Sequence, residues 1–70
     1  MRSMYTVVWH DGESVGGILN MSAVEGLAQR RSAGSRIADI PHERGIFKIY
    51  DITDNNGDLI GVCVRANWGK

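Results

Sequence analysis

The chain begins with a segment typical of a β-strand. Residues 4–9 are rich in β-branched and aromatic side chains, and the Asp-Gly pair at 11–12 that follows is a strong turn signal. Residues 14–19 form a candidate second strand, which the paired glycines at 16–17 weaken because glycine packs nothing. We therefore predict one strand followed by a short or irregular edge strand, and leave open whether the two pair.

A helical pattern follows over residues 23–33. Ser22 and Glu25 have the spacing of a capping box, in which each side chain satisfies the other residue's backbone N–H. Gly34 stands where a left-handed C-terminal cap is favoured. The apolar side chains that recur at helical spacing are Val24, Leu27, Ala28 and the stem of Arg31. This narrow stripe predicts a helix with one buried side.

The hydrophobic period changes to two after the helix. Residues 36–40 form a short candidate strand closed by Pro41, and residues 46–52 form a longer one. A dense turn signal at 53–57 separates the longer strand from residues 59–64, the most hydrophobic segment. Residues 46–65 therefore predict an antiparallel hairpin.

These elements predict a small α+β domain in the order β-(β)-α-β-β-β. We expect an antiparallel sheet of three to five strands with one helix packed on one face. Residues 1–70 leave room for one domain, whose core is thin because a chain of this size buries only about 60% of its unfolded surface. We expect residues 1–3 to be disordered or an upstream addition, with Met4 as the alternative start.

Charge changes this picture by suggesting contact groups. The formal net charge is zero, but residues 30–48 carry five Arg and Lys against two acidic residues, and residues 51–58 carry three Asp and no cation. A neutral chain has little long-range field for nucleic acid or an anionic membrane. The local separation of charge favours a charged partner.

The candidate chemistry does not indicate an enzyme. Cys63 is the only cysteine and lies within an apolar run, where cysteine usually acts as a small buried hydrophobe, and no general base is placed beside it in sequence. His10 and His42 lack zinc-ligand spacing, and the acidic turn lacks the glycine and glutamate of a calcium loop. We predict no catalytic residue, metal or cofactor. The single thiol, with no signal peptide or membrane-spanning run, predicts a cytoplasmic protein that does not contact membranes.

Our first functional hypothesis is a non-enzymatic protein-binding module that acts as an inhibitor or adaptor. The candidate contact residues are Arg30, Arg31, Arg36, Arg44, Lys48, Asp54, Asp58 and Trp68. Trp68 lies in a polar tail that we place beyond the last strand, and Trp and Arg dominate interface energies. The alternative is a nucleic-acid-binding regulator that uses the arginines of 30–48. A second alternative is a structural subunit of a homodimer or larger oligomer, built on an exposed sheet face.

In size and layout the chain resembles the small single-domain α+β proteins that phages encode to block a host defence or enzyme, anti-CRISPR proteins among them. The resemblance implies an inhibitor of another protein. It rests on general architecture and carries no diagnostic residue.

Overall fold

A computed structural model describes residues 2–68 of the chain, with the side chains of residues 4–66. In this part of the chain, one antiparallel sheet of six strands carries a single helix on one face. The elements are β1 (Arg2–Trp9), β2 (Ser14–Ile18), α1 (Met21–Arg31), β3 (Arg36–Ile37), β4 (His42–Arg44), β5 (Phe47–Thr53) and β6 (Leu59–Trp68). The predicted α+β class and the helix on one face are confirmed, and the sheet has one strand more than the upper limit we expected.

The two ends of the described chain pair at the centre of the sheet. The strand order is β2-β1-β6-β5-β3, and β4 also pairs with β5. The register of β1 against β6 is continuous from Arg2 opposite Trp68 to Trp9 opposite Gly61. The predicted hairpin of residues 46–65 is confirmed as β5 and β6. β2 does pair with β1, with an irregular register between Tyr5 and Val7.

The core lies between α1 and one face of the sheet. Its buried residues are Tyr5, Val7, Trp9, Ile18, Val24, Ala28, Ile52 and Cys63. Val24 and Ala28 belong to the predicted stripe of α1, and Leu27 packs partly against the same cluster. Burial of this stripe gives α1 most of its stability, since an isolated helix of 11 residues is marginal in water.

The predicted start of the helix is wrong. α1 begins at Met21, and the side chain of Asn20 accepts a hydrogen bond of 2.9 Å from the backbone N–H of Ala23. Asn20 therefore provides the cap that we assigned to Ser22, because asparagine satisfies an N-terminal amide about as well as serine does. The helix ends at Arg31, two residues before the predicted end.

Three strand predictions also need correction. β3 covers only residues 36 and 37, and the charged segment His42–Arg44, which we took as a loop, pairs with β5 as β4. β6 continues to Trp68 instead of ending at residue 64, because the backbone of residues 2 and 3 belongs to β1 and supplies its pairing partner. Residues 2 and 3 are therefore part of the sheet, and the side chain of Trp68 lies outside the described residues.

Candidate functional site

Arg31, a predicted contact residue, makes intramolecular contacts at the surface. One guanidinium N–H donates to Glu13 at 2.6 Å and a second donates to Asp11. The guanidinium carbon lies 4.9 Å from the centre of the Trp9 ring, in cation–π geometry. The hydrogen bonds to Glu13 and Asp11 raise the pKa of Arg31. Arg31 therefore fastens the end of α1 to the β1–β2 turn.

The acidic turn is shaped by its own hydrogen bonds. One carboxylate oxygen of Asp54 accepts from the backbone N–H groups of Asn56 at 2.8 Å and Asp58 at 2.9 Å. Gly57 takes a positive φ of 86°, which completes the tight turn between β5 and β6. The Asp54 carboxylate thus has a structural role in the hairpin, with Asp58 beside it. No group of three or more His, Cys, Asp or Glu side chains among the described residues is arranged to hold a metal ion.

The other predicted cations lie on separate elements. Arg30 lines a hollow on the outer side of α1 with Ala23, Gly26 and Leu27, and Arg36 lines a groove beside β3. Arg44 is opposite Phe47 in the β4–β5 register, whereas Lys48 is opposite Glu43. Because neighbouring residues of a strand point to opposite faces, Arg44 and Lys48 lie on opposite faces of the sheet. These cations therefore sit on different parts of the surface.

A polar groove lies between α1 and β3. Its volume is about 350 Å³, and its lining includes Glu25, Gln29, Ser35 and Asp39. Gln29 holds its floor in place by accepting from the backbone N–H of Gly34 and donating to the carbonyl of Ser35. The Ser35 hydroxyl is buried without a hydrogen-bond partner among the described residues.

Cys63 occupies an environment that opposes catalysis. Its side chain is 0% exposed, and burial raises its thiol pKa to about 11. A nucleophilic cysteine needs a lowered pKa and access to its substrate. Its cross-strand neighbours are Val7 and Tyr50, which belong to the core or pack against it. Cys63 therefore serves as a core residue.

Apolar residues also line the sheet face opposite α1, which we call the helix-free face. Cross-strand pairing arranges its central residues in three rows, and directly opposite residues share a face. The rows are Met4–Ala66–Phe47, Thr6–Val64–Ile49 and Val8–Val62–Asp51. Phe47 is 44% exposed and Val8 39%, and the other seven are half-buried. Among residues 2–68, α1 is the only element outside the sheet, and it lies on the other side.

Charged groups of both signs flank these rows. Arg44 lies beside Phe47 at one end of the face, and Asp51 lies in the row at the other end. His42 lies beside Ile49, and its Nε2 is 3.3 Å from a carboxylate oxygen of Asp51. An apolar centre with a polar border is the usual anatomy of a protein–protein interface.

Of the eight predicted contact residues, two belong to the described border of this face: Arg44, opposite Phe47, and Arg36, which pairs with Thr53 on the same side of β5. Sequence reasoning missed Val62, Val64 and Ile49 because an apolar residue in a strand reads as core. The available signal was the composition of β6, in which both alternating sets are apolar while the chain has only one helix to cover them.

No helix among the described residues is long and apolar enough to span a membrane. No family model, curated protein or solved structure matches the chain.

Proposed function

We propose that this protein is a non-enzymatic protein-binding module that contacts its partner through the helix-free face. The observation that carries the proposal is the set of three rows on the side of the sheet opposite α1, in which seven of the nine residues are apolar and all nine are exposed or half-buried. Contiguous apolar patches of this kind on a soluble domain usually mark an interaction site, because exposing them to water is unfavourable.

The rigidity of the face supports this role. The three rows lie on β1, β6 and β5, which are paired along most of their length, so their side chains are held in fixed positions. A preorganised surface loses little conformational entropy when it binds. An inhibitor or adaptor that works by covering a partner's surface requires such a platform.

The positions of the cations favour protein over nucleic acid as the partner. Arg31 is paired with Asp11 and Glu13, and Arg44 and Lys48 lie on opposite faces. Phosphate binding draws its affinity from several cations that follow one backbone. The centre of the helix-free face instead consists mainly of apolar side chains, which do not bind phosphate groups.

A pull-down from cell lysate with the immobilised chain tests the proposal, at low and high salt and with nuclease present. The informative variant is Val8→Lys, which places a charge in the apolar rows, and the matched control is Glu43→Lys on the opposite face. A protein retained by the wild type and the control, but lost with Val8→Lys, is the expected result. Circular dichroism establishes that each variant is folded.

Two results would contradict the proposal. Retention unchanged by Val8→Lys would place the contact elsewhere on the molecule. Retention that disappears with nuclease or high salt would favour the nucleic-acid alternative, because phosphate contacts weaken steeply with salt.

A further inference from the structure

We infer that the partner of the helix-free face is a second copy of this chain, related to the first by a two-fold axis. The inference rests on the proposed protein-binding role of that face and names its occupant. The two sheets would pack face to face about 10 Å apart, as in a β-sandwich, with one α1 on each outer side.

The size of the face fits a weak dimer. The six strands together contain 35 residues, and at about 3.3 Å along and 4.8 Å across the strand for each residue the face covers about 550 Å². Two copies would therefore bury about 1,100 Å², close to the lower limit of specific interfaces, which is the size expected of a reversible dimer. The sheet of a second copy would also cover the helix-free face, which adds a second packed layer to a chain of 70 residues whose own core is thin.

The charges at the border select the orientation of the two copies. Arg44 stands beside the Phe47 row and Asp51 belongs to the Val8–Val62 row, with the Thr6–Val64–Ile49 row between them. A two-fold axis that crosses the strands at this middle row exchanges the two outer rows. Arg44 of each copy then lies near Asp51 of the other, which gives two equivalent ion pairs around an apolar centre.

A dimer of this kind leaves the rest of the molecule available. Arg30 lies on α1, away from the helix-free face, so it would be displayed twice on the outer surface. A two-fold display of the same groups is suited to an adaptor, because bivalent attachment raises the apparent affinity.

The molar mass in solution gives the first test, measured by sedimentation velocity from a few micromolar to a few hundred micromolar. We expect a reversible shift from one 7.7 kDa chain to two as the concentration rises. A chain that stays monomeric over this range overturns the inference. If the chain is monomeric, the Val8→Lys pull-down still decides the proposed function: a different protein that the wild type retains and Val8→Lys loses keeps that function, and unchanged retention removes it as well.

Charge reversal tests the orientation. Arg44→Asp and Asp51→Arg should each weaken the dimer about tenfold or more, because each creates two like-charge contacts. The double variant Arg44→Asp/Asp51→Arg should recover most of the affinity, whereas the control Glu43→Arg should leave it unchanged. Single variants that dimerise like the wild type, or a double variant as weak as the singles, would overturn this arrangement.

Discussion

At the scale of single residues, Arg31 has the most distinct role in the described part of the chain. It lies in the last turn of α1, where a cation is favoured by the helix dipole, and it also stacks on Trp9. Its planar guanidinium bonds to two carboxylates while it stacks on the Trp9 ring, a combination that the compact ammonium of lysine does not reproduce. This contact joins two elements that are distant in sequence.

The charge of Asp11 makes part of this contact dependent on pH. The backbone N–H of Glu13 donates to its carboxylate, and this bond, together with Arg31, lowers the pKa of Asp11 below its ordinary value. A carboxyl group with a lowered folded-state pKa stabilises the fold above its unfolded pKa of about 4. That stability is lost as the pH falls through the folded value.

We therefore expect the wild type to have a higher free energy of unfolding than Asp11→Asn at pH 6. The difference should disappear as the pH falls below about 4, because the carboxylate is then protonated. Asparagine keeps an oxygen for the Glu13 amide, so the comparison isolates the charge. Urea unfolding at several pH values measures the difference. A gap that stays constant down to pH 2.5 would show that the charge of Asp11 contributes nothing.

Ser35 offers a substitution that should not destabilise the protein. Its hydroxyl is buried without a hydrogen-bond partner among the described residues, and such a group costs about 1–3 kcal/mol of desolvation. Ser35→Ala should leave stability unchanged or raise it by about 1 kcal/mol. Gln29→Ala is the contrasting variant, because it removes two hydrogen bonds, and it should lower stability. Destabilisation by Ser35→Ala would reveal a partner for the hydroxyl.

At the scale of elements, the sequence predicted the interior of α1 better than its beginning. Val24 and Ala28 are fixed by periodicity, which is a property of many residues together. The start depends on one side-chain hydrogen bond, and Asn20 and Ser22 are both good caps. Sequence alone does not decide between two candidate caps that are two positions apart. The choice depends on the position and direction of the backbone that leaves the preceding strand.

β4 was missed for a different reason. His42–Arg44 is charged and follows Pro41, both typical of a loop, but it is an edge strand, where charged residues are tolerated. The signal was present in Gly45, which has a φ of +62° and forms a two-residue turn with Ile46 before β5. The glycine at the first position of this turn was therefore a better indicator of a hairpin than the charged residues were of a loop.

Two glycines in different elements should respond oppositely to alanine. Gly26 is exposed in the middle of α1, and an added Cβ would meet nothing within 4 Å, so Gly26→Ala should stabilise by about 0.5–1 kcal/mol. Gly61 faces Trp9 across β1 and β6, where a Cβ would lie 2.8 Å from a ring carbon. Gly61→Ala should therefore destabilise by about 1–3 kcal/mol. Thermal unfolding of both variants measures this pair, and effects of equal sign would contradict it.

At the scale of the whole molecule, the sequence suggested that one sheet face could stay exposed, but it did not show which residues form that face. Apolar residues at both alternating sets of β6 indicate a strand that is buried on two sides. Only the assembled sheet shows that α1 covers one of them, and that Val62 and Val64 lie on the other. The separation of positive and negative charges over residues 30–58 was visible in the sequence. Which of these residues form ion pairs within the molecule, and which lie at the border of the helix-free face, depends on the topology of the sheet.

The thiol of Cys63 reports on the stability of the assembled sheet. It lies in β6 between β1 and β5, is fully buried, and has a pKa of about 11. A thiol reagent at pH 8 should therefore reach it only when the central strands separate, at least about a thousandfold more slowly than in urea-unfolded chain. The labelling rate should rise with urea in parallel with global unfolding followed by circular dichroism. Rapid labelling without urea would mean that β6 opens locally, and a sheet that opens at its centre could not present the fixed rows on which partner binding depends.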